Sequence, residues 1–309
     1  MRNKITVVGA GNVGASCTLW LAERELGDIV LVDIPQTGTM PMGKSLDLLQ
    51  SGPVYGFNTR ITGATDYGPT ANSDAVVITA GFPRKPGMSR EDLVVKNQEI
   101  ITDVMAQVTK TSPNAIVIVV TNPLDTMVYL AHKLSGWSRS RVFGQAGQLD
   151  SARMAAFIAL ELDVSVSSVH ASVMGGHGDE MVPLVRYTTV AGVPIGELLP
   201  VDRVQAIVER TRKGGGEILN LLGTTAYYAP GAAAARMVEA ILKDQKLILP
   251  CSVVLEGEYG LKDIAFGVPV KLGRGGVEHI FEVRLDDDER VTLQKSVDLI
   301  RGTMSALKM

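Results

Sequence analysis

The sequence has little cysteine, and this scarcity excludes two kinds of site. Cys17 and Cys251 are the only cysteines among 309 residues. Two such distant residues make no disulfide framework, and no Cys-x-x-Cys pair or Cys/His cluster offers ligands for zinc. We therefore expect a chain without a metal site that works in the reducing cytoplasm.

Long apolar runs and a strong charge of one sign are also missing. No segment approaches about 18 apolar residues, and the short apolar run after Lys4 is followed by no cleavage site, so we expect neither a membrane span nor a secretion signal. The net charge is −3, which gives no support for nucleic-acid binding. The chain also shows no repeats or low-complexity tracts.

A glycine-rich turn near the start carries the first positive signal. The apolar residues 5–8 predict a buried strand that runs into Gly9-Ala10-Gly11-Asn12-Val13-Gly14, and a helix, a second apolar strand (29–32) and Asp33 follow. This order is typical of a dinucleotide site, in which the first glycine makes the turn, the second lets backbone approach a pyrophosphate, and the third packs helix on strand. The alternative is a glycine-rich turn in some other α/β protein.

Asp33 bears on the choice of cofactor. At the end of the second strand its carboxylate would accept hydrogen bonds from the adenosine ribose, and it would repel the extra phosphate of NADP. No arginine follows it directly. The sequence therefore predicts NAD.

Strands and helices continue to alternate up to about residue 145. Two further apolar strands lead into Thr79-Ala80-Gly81 and Val120-Thr121-Asn122. In a doubly wound parallel sheet, ligands bind beyond the carboxyl ends of the strands, so these residues should meet the cofactor. The fold class is predicted as α/β, with a Rossmann-type doubly wound parallel sheet (an NAD-binding domain, 1–145) followed by an α+β substrate domain (146–309).

The segment 82–92 is predicted to be a loop, because two prolines and a glycine interrupt it. Arg84, Lys85 and Arg90 make it cationic. Since it leaves the sheet at the cofactor end, it could close over an anionic substrate and exclude water. A solvated loop face is the alternative interpretation.

His177 is one of only four histidines and lies in Met174-Gly-Gly-His-Gly178. The apolar residues 169–174 predict a strand that delivers it, and an imidazole can exchange a proton near neutral pH. The glycines would let the ring approach a small substrate closely. A turn with a solvated histidine is the competing interpretation.

A long helix predicted over 201–222 contains Gly214, Gly215 and Gly216. Glycine inside a helix costs roughly 1 kcal/mol against alanine. We expect an interruption there, and either a kink or close backbone packing could compensate.

The chain as a whole resembles the lactate/malate dehydrogenase family, and more narrowly the malate dehydrogenases that share the lactate dehydrogenase build. The resemblance rests on the glycine turn, on residues 79–92, on Thr121-Asn-Pro-Leu-Asp125, on Leu149-Asp-Ser-Ala-Arg153 and on the histidine turn. It implies NAD-dependent, reversible hydride transfer between (S)-malate and oxaloacetate, a step of the tricarboxylic acid cycle. It also implies a homo-oligomer, more in line with a tetramer than a dimer.

The resemblance assigns roles to individual residues. His177 matches the proton-transfer histidine and Asp150 its carboxylate partner; a mere helix cap is the alternative for Asp150. Other matches are Arg153 for the C1 carboxylate, Arg90 for the reacting carbonyl, Asn122 for the substrate oxygen near the nicotinamide, Asn97 for the cofactor, and Thr225 for the substrate pocket.

Arg84 distinguishes the two activities of the family. The malate enzymes carry arginine at this loop position and the lactate enzymes an uncharged residue, because the second carboxylate of oxaloacetate needs a cation once it is desolvated. Gln148 departs from the family, which has an apolar residue or threonine there. Asp179 and Glu180 are expected to be structural.

Three rival functions remain. A lactate dehydrogenase is the nearest, and an NAD-dependent glycosidase would require a metal site. A catalytically silent NAD-binding protein is the third.

Overall fold

The computed structural model describes residues 2–83 and 90–308, and in the helix that begins at Arg90 it describes side chains from Asp92 onward. Most of the predicted cationic loop, residues 84–89 including Arg84, lies outside the described residues. So does the side chain of Arg90.

Strands and helices alternate through the first half and mix through the second. The strands are β1 Lys4–Val8, β2 Asp28–Val32, β3 Ile61–Ala64, β4 Ala75–Ile78, β5 Ile116–Val119, β6 Val142–Gln145, β7 Val169–His170, β8 Val173–Met174, β9 Val182–Pro183, β10 Thr189–Val190, β11 Val193–Pro194, β12 Leu247–Glu256, β13 Lys262–Gly273 and β14 Gly276–Ile280. The helices are α1 Asn12–Glu23, α2 Met40–Tyr55, α3 Arg90–Thr111, α4 Leu124–Ser135, α5 Gly147–Leu162, α6 Ile195–Leu198, α7 Val201–Leu222, α8 Tyr228–Leu242 and α9 Asp287–Met304.

Within the described residues, one nine-stranded sheet organises the molecule, in the order β14-β13-β12-β6-β5-β4-β1-β2-β3. The six strands from β6 to β3 are parallel. The predicted parallel α/β sheet is therefore confirmed.

The three long antiparallel strands of the second half, β12, β13 and β14, do not form a sheet of their own. The shorter ones do: β7, β10 and β11 make a three-stranded sheet, and β8 pairs with β9. β12 pairs antiparallel with β6 through Cys251 and Gln145, and β13 and β14 continue outward from it. The sheet thus runs across the predicted division at residues 145/146. That division stays a prediction.

The parallel strands are mostly apolar because both faces of the sheet are covered. On one face, side chains such as Val7 and Ile118 join a core with α1, α8 and α9, whereas Val76 and Val117 face α3 and α4 on the other. A third apolar cluster lies between α5 and α7. Because these layers fix the sheet, the residues that follow its strands are held at one edge.

Two local predictions were wrong. α7 runs as one helix from Val201 to Leu222, without the expected interruption at its glycines. The single strand predicted over 169–174 is two short strands, because Val169–His170 pairs with β10 whereas Val173–Met174 pairs with β9. No helix among the described residues has the length and apolar character needed to cross a bilayer.

Candidate active site

The glycine turn lies at the carboxyl end of β1, beside the ends of β2 and β4. Gly9 has φ +100°, and its amide donates to the carbonyl of Val32 at 2.8 Å. A Cβ at Gly14 would overlap the carbonyl oxygen of Gly9 and lie 2.9 Å from Thr79 Oγ1. The first and third positions of the motif must therefore be glycine, because the surrounding atoms leave no room for a side chain there.

Gly11 differs, because a Cβ there would meet no atom within 4 Å. It is the N-cap of α1, and no side chain caps this helix. The first amides of α1 are consequently available to an anion, and the helix dipole favours negative charge there. This is the arrangement that a pyrophosphate requires.

Asp33 is fixed by the turn that it faces. Its Oδ2 accepts from the amide of Ala10 at 2.6 Å and its Oδ1 from the amide of Ile34 at 2.8 Å. Each carboxylate oxygen can accept a second hydrogen bond, so capacity remains for ribose hydroxyls. Lys44, which the sequence analysis did not single out, donates to the carbonyl of Ala10 at 2.7 Å.

Asn97 joins the segments that follow β4 and β5. Its Oδ1 accepts from the amide of Phe82 at 2.6 Å, and its Nδ2 donates to the carbonyls of Phe82 and Asn122. The residue is 1% exposed. Asn97 thus braces both segments through backbone, and its expected contact with the cofactor stays a prediction. Thr121 adds a bond to the carbonyl of Ala80 at 2.6 Å.

The predicted pair of His177 and Asp150 is assembled at the start of α5. His177 Nδ1 lies 2.9 Å from Asp150 Oδ2, and Arg153 Nη1 donates to Asp150 Oδ1 at 3.2 Å. Asp150 lies in the first turn of α5 rather than before it, so the capping alternative does not describe it. The side chains of His177 and Arg153 are only 19% and 11% exposed. The three groups therefore form one largely buried cluster.

The electrostatics of this cluster favour the imidazolium. Burial lowers the pKa of His177, but the charge and hydrogen bond of Asp150 and the charge of Asp125 outweigh burial and the opposing charge of Arg153, so the pKa lies above its ordinary value. Because Nδ1 faces the carboxylate, it carries a proton in the favourable tautomer and Nε2 is the atom left to exchange one.

Asp125, the last residue of the motif Thr121-Asn-Pro-Leu-Asp125, is a second buried carboxylate beside His177. Its Oδ2 accepts from the amide of His177 at 3.0 Å and its Oδ1 from the hydroxyl of Ser252 at 2.6 Å. Burial raises the pKa of Asp125. Its place two residues after Asn122-Pro123, in the first turn of a helix, was a usable signal; Ser252, inside β12, gave none.

Two of the glycines around His177 are packed closely against neighbouring elements. Gly175 has φ +92° and donates to the carbonyl of Gly267 at 2.8 Å. A Cβ at Gly176 would lie 2.9 Å from Ile300 Cδ1, whereas one at Gly178 would meet nothing within 4 Å. Gly175 and Gly176 thus have a steric reason in their packing against β13 and α9. The expectation that the glycines let the ring approach a small substrate closely stays a prediction.

Three other residues named from the sequence lie in loops or at a helix start. Asn122 is exposed after β5, and its bond to Pro123 is cis. Thr225 is exposed between α7 and α8, and Gln148 is half-buried in the first turn of α5. In the ranges 2–83 and 90–308, no group of three or more His, Cys, Asp or Glu residues is placed to hold a metal.

Comparisons with known proteins agree over the whole chain. Residues 3–144 match the model of the lactate/malate dehydrogenase NAD binding domain, and residues 147–308 that of the lactate/malate dehydrogenase alpha/beta C-terminal domain. A malate dehydrogenase from Roseiflexus sp. (strain RS-1) is 57% identical over 100% of this chain and 99% of its own length. One from Geobacillus thermodenitrificans (strain NG80-2) is 56% identical over 99% of both.

Solved structures give the same result in three dimensions. A malate dehydrogenase from Salinibacter ruber is 52% identical, with a TM-score of 0.94 over 98% of this chain and 97% of that one. A lactate dehydrogenase from Cryptosporidium parvum, complexed with lactic acid and β-nicotinamide adenine dinucleotide, is 40% identical, with a TM-score of 0.94 over 99% and 98%.

Proposed function

This chain belongs to the lactate/malate dehydrogenase family, and from that premise we propose that it catalyses the NAD-dependent, reversible interconversion of (S)-malate and oxaloacetate. It is an oxidoreductase that acts on the CH–OH group of a 2-hydroxy acid. One observation carries the proposal: His177, Asp150 and Arg153 form a hydrogen-bonded cluster in a chain that is 57% identical to a malate dehydrogenase over its full length.

The glycine turn and the neighbouring strand ends fit NAD(H). Gly11 leaves open space, the amides of α1 lack a side-chain cap, and Asp33 retains acceptor capacity for the ribose while disfavouring the phosphate of NADP. When bound, the nicotinamide accepts or supplies the hydride. The residues proposed to hold the cofactor are Gly9, Ala10, Gly11, Asn12, Val13, Gly14, Asp33, Thr79, Ala80, Gly81, Asn97, Val120, Thr121 and Asn122.

His177 moves the proton of the reaction. In malate oxidation the neutral ring takes the C2 hydroxyl proton at Nε2, while Asp150 holds Nδ1–H at 2.9 Å and stabilises the charge that forms. In oxaloacetate reduction the protonated ring returns that proton to the C2 oxygen. Because the cluster is largely buried, these charges interact through less water than they would at the surface.

The substrate is held by cations. Arg153 is proposed to bind the C1 carboxylate, since a planar guanidinium pairs with it through two parallel hydrogen bonds. By family resemblance Arg84 binds the second carboxylate, Arg90 polarises the carbonyl, Asn122 contacts the C2 oxygen and Thr225 lines the pocket. Arg84 and the Arg90 side chain lie outside the described residues, so these two roles rest on sequence alone.

A steady-state assay with two keto acids and two cofactors tests the proposal. We expect NADH oxidation with oxaloacetate to exceed that with pyruvate by at least about 100-fold in kcat/KM, because pyruvate has no second carboxylate to pair with the arginine assigned to it. We also expect NADH to be preferred over NADPH. A preference for pyruvate would establish the alternative, lactate dehydrogenase, and absence of turnover with both acids would contradict the proposal.

We further propose a homotetramer, with a dimer as the alternative, in the cytoplasm and within the tricarboxylic acid cycle. Met42, Leu46 and Leu49 are exposed along one side of α2, and an exposed apolar stripe of this kind favours contact with another subunit. Light scattering should give four times the chain mass of 32.9 kDa. Twice that mass would support the dimer.

A further inference from the structure

Gly214 lies in the middle of α7 at the point where this helix passes the active site. The buried residues of α7 are Val204, Ile207, Thr211 and Gly214. Their spacing of three and four residues places them on one face of the helix. That face packs on α5, the helix that carries Asp150 and Arg153.

Arg153 occupies the space that a side chain at position 214 would need. A Cβ built on Gly214 has Arg153 Cδ, Nε and Cγ as its three nearest atoms; it would overlap Cδ and lie 2.8 Å from Nε and 3.3 Å from Cγ. Real Cβ atoms do not approach other atoms below 3.0 Å. Alanine at 214 would therefore force the stem of Arg153 to move.

The neighbouring glycines show no such contact. Gly215 and Gly216 are exposed, and a Cβ at either would meet nothing within 4 Å. All three glycines have the same backbone cost in a helix interior. Of these three, only Gly214 is required to be glycine by a steric contact. The close backbone packing that the sequence suggested therefore applies to Gly214 alone.

We propose that Gly214 is a positioning residue for substrate binding: its missing side chain lets Arg153 lie against α7 with its guanidinium beside Asp150. This inference rests on the proposed function, because it takes Arg153 as the group that binds the substrate C1 carboxylate.

The position of Arg153 is defined from two sides. Its Nη1 donates to Asp150 Oδ1 at 3.2 Å, while its Cδ and Nε lie against the backbone of α7 at Gly214. Two-point binding of a carboxylate depends on the direction of the guanidinium plane. A shift of the stem would thus weaken substrate binding without touching the nucleotide site at the ends of β1 and β2.

Gly214→Ala and the matched control Gly215→Ala test the role. With oxaloacetate varied at saturating NADH, we expect Gly214→Ala to lower kcat/KM roughly 10- to 100-fold, mostly through KM, because a misplacement of about 1 Å can have that effect. The KM for NADH should stay within about two-fold of the parent. Gly215→Ala should match the parent in kcat, in the KM for oxaloacetate and in the KM for NADH. Equal effects of the two variants would overturn the proposal.

The Arg153→Ala background separates a positioning role from a general packing role. Removing the arginine stem also removes the overlap, so Gly214→Ala should cause no further loss of kcat/KM there. In that background it should raise the melting temperature, since alanine is the better helix former, whereas in the parent it should lower it. A melting temperature that falls equally in both backgrounds would contradict the proposal. The melting-temperature comparison can still be made in the Arg153→Ala background if Gly214→Ala alone folds poorly.

The outcome can be told apart from failure of the proposed function. If the parent enzyme turns over pyruvate rather than oxaloacetate, the same kinetics are measured with pyruvate, which shares the C1 carboxylate. If the parent turns over neither acid, the proposed function fails, and the opposite changes in melting temperature still decide whether Gly214 makes room for Arg153.

Discussion

Replacing Asp150 by asparagine should disable proton transfer because the carboxylate serves two donors at once. Oδ2 faces His177 Nδ1 at 2.9 Å and Oδ1 faces Arg153 Nη1 at 3.2 Å. An amide has one acceptor oxygen, so its NH₂ group must face either the arginine or the ring. Facing the ring, it would draw the proton from Nδ1 to Nε2 and leave the wrong tautomer for malate oxidation.

The size of the effect follows from charge and geometry together. A carboxylate in contact shifts a partner pKa by about 1–3 units, equivalent to roughly 1.4–4 kcal/mol. Loss of the tautomer adds to this, so we expect kcat for Asp150→Asn to fall about 100- to 10,000-fold near neutral pH.

The pH profile should move in a defined direction. Burial lowers the pKa of His177, Asp150 and Asp125 raise it, and Arg153 lowers it, with a net value above the ordinary one. Oxaloacetate reduction needs the protonated ring, so its rate falls as the pH rises through that pKa. Asp150→Asn lowers the pKa, and the falling limb should therefore move to lower pH by at least about one unit.

Asp125→Asn is the matched comparison. Asp125 also accepts from two donors, but one of them is the Ser252 hydroxyl, which can rotate and accept from the new amide. This variant therefore removes charge and keeps hydrogen bonds, and we expect a loss of about 10-fold with a smaller shift in the same direction. The exposed Asp298→Asn serves as the control and should behave as the parent.

Kinetic profiles of the four proteins from about pH 5 to 10, with oxaloacetate and NADH, complete the test. Asp150 would not be the group that raises the pKa of His177 if Asp150→Asn kept the falling limb of the parent profile, or if Asp125→Asn lost more activity than Asp150→Asn.

Three further predictions follow from other parts of the chain. His177→Asn should retain NADH binding, measured by fluorescence titration, and lose turnover by about 100-fold or more; retained turnover would contradict the proton-transfer role. Arg84→Gln should lower kcat/KM for oxaloacetate and shift preference toward pyruvate, and undiminished oxaloacetate turnover would remove the assigned role of Arg84. Hydrogen bonds from Arg139 hold the pKa of Glu258 at about 2, so Glu258→Gln should reduce the free energy of unfolding by about 2–3 kcal/mol near pH 7. Because this contribution is present above the ordinary pKa and is lost as the pH falls toward the lowered one, urea unfolding should show a smaller difference near pH 3, and a constant difference would exclude the carboxylate as its source.

Much of the nucleotide end could be predicted because its signals are local. Gly9 is required by the positive φ of the turn, and Gly14 by its contact with the carbonyl of Gly9, only five residues earlier. Asp33 directly follows an apolar strand. The strands predicted over 5–8 and 29–32 each begin one residue earlier in the structure, as β1 and β2. Such features need no knowledge of distant packing.

The second half was harder to predict because long-range contacts decide it. β6 and β14 were not predicted. β6 is a four-residue strand directly before α5 that pairs with β5, and β14 pairs only with β13. The expected break in α7 does not occur, because packing on α5 outweighs the helix cost of three glycines.

The parallel α/β sheet, the glycine turn and the candidate residues His177, Asp150 and Arg153 could all be predicted from sequence alone. The sheet follows from apolar periodicity, and the turn and the three residues follow from short motifs. The support of His177 by Asp125 and Ser252, and the room that Gly214 leaves for Arg153, became visible only in the folded chain. These contacts join residues 52, 127 and 61 positions apart, and no local pattern fixes which side chains meet across such distances.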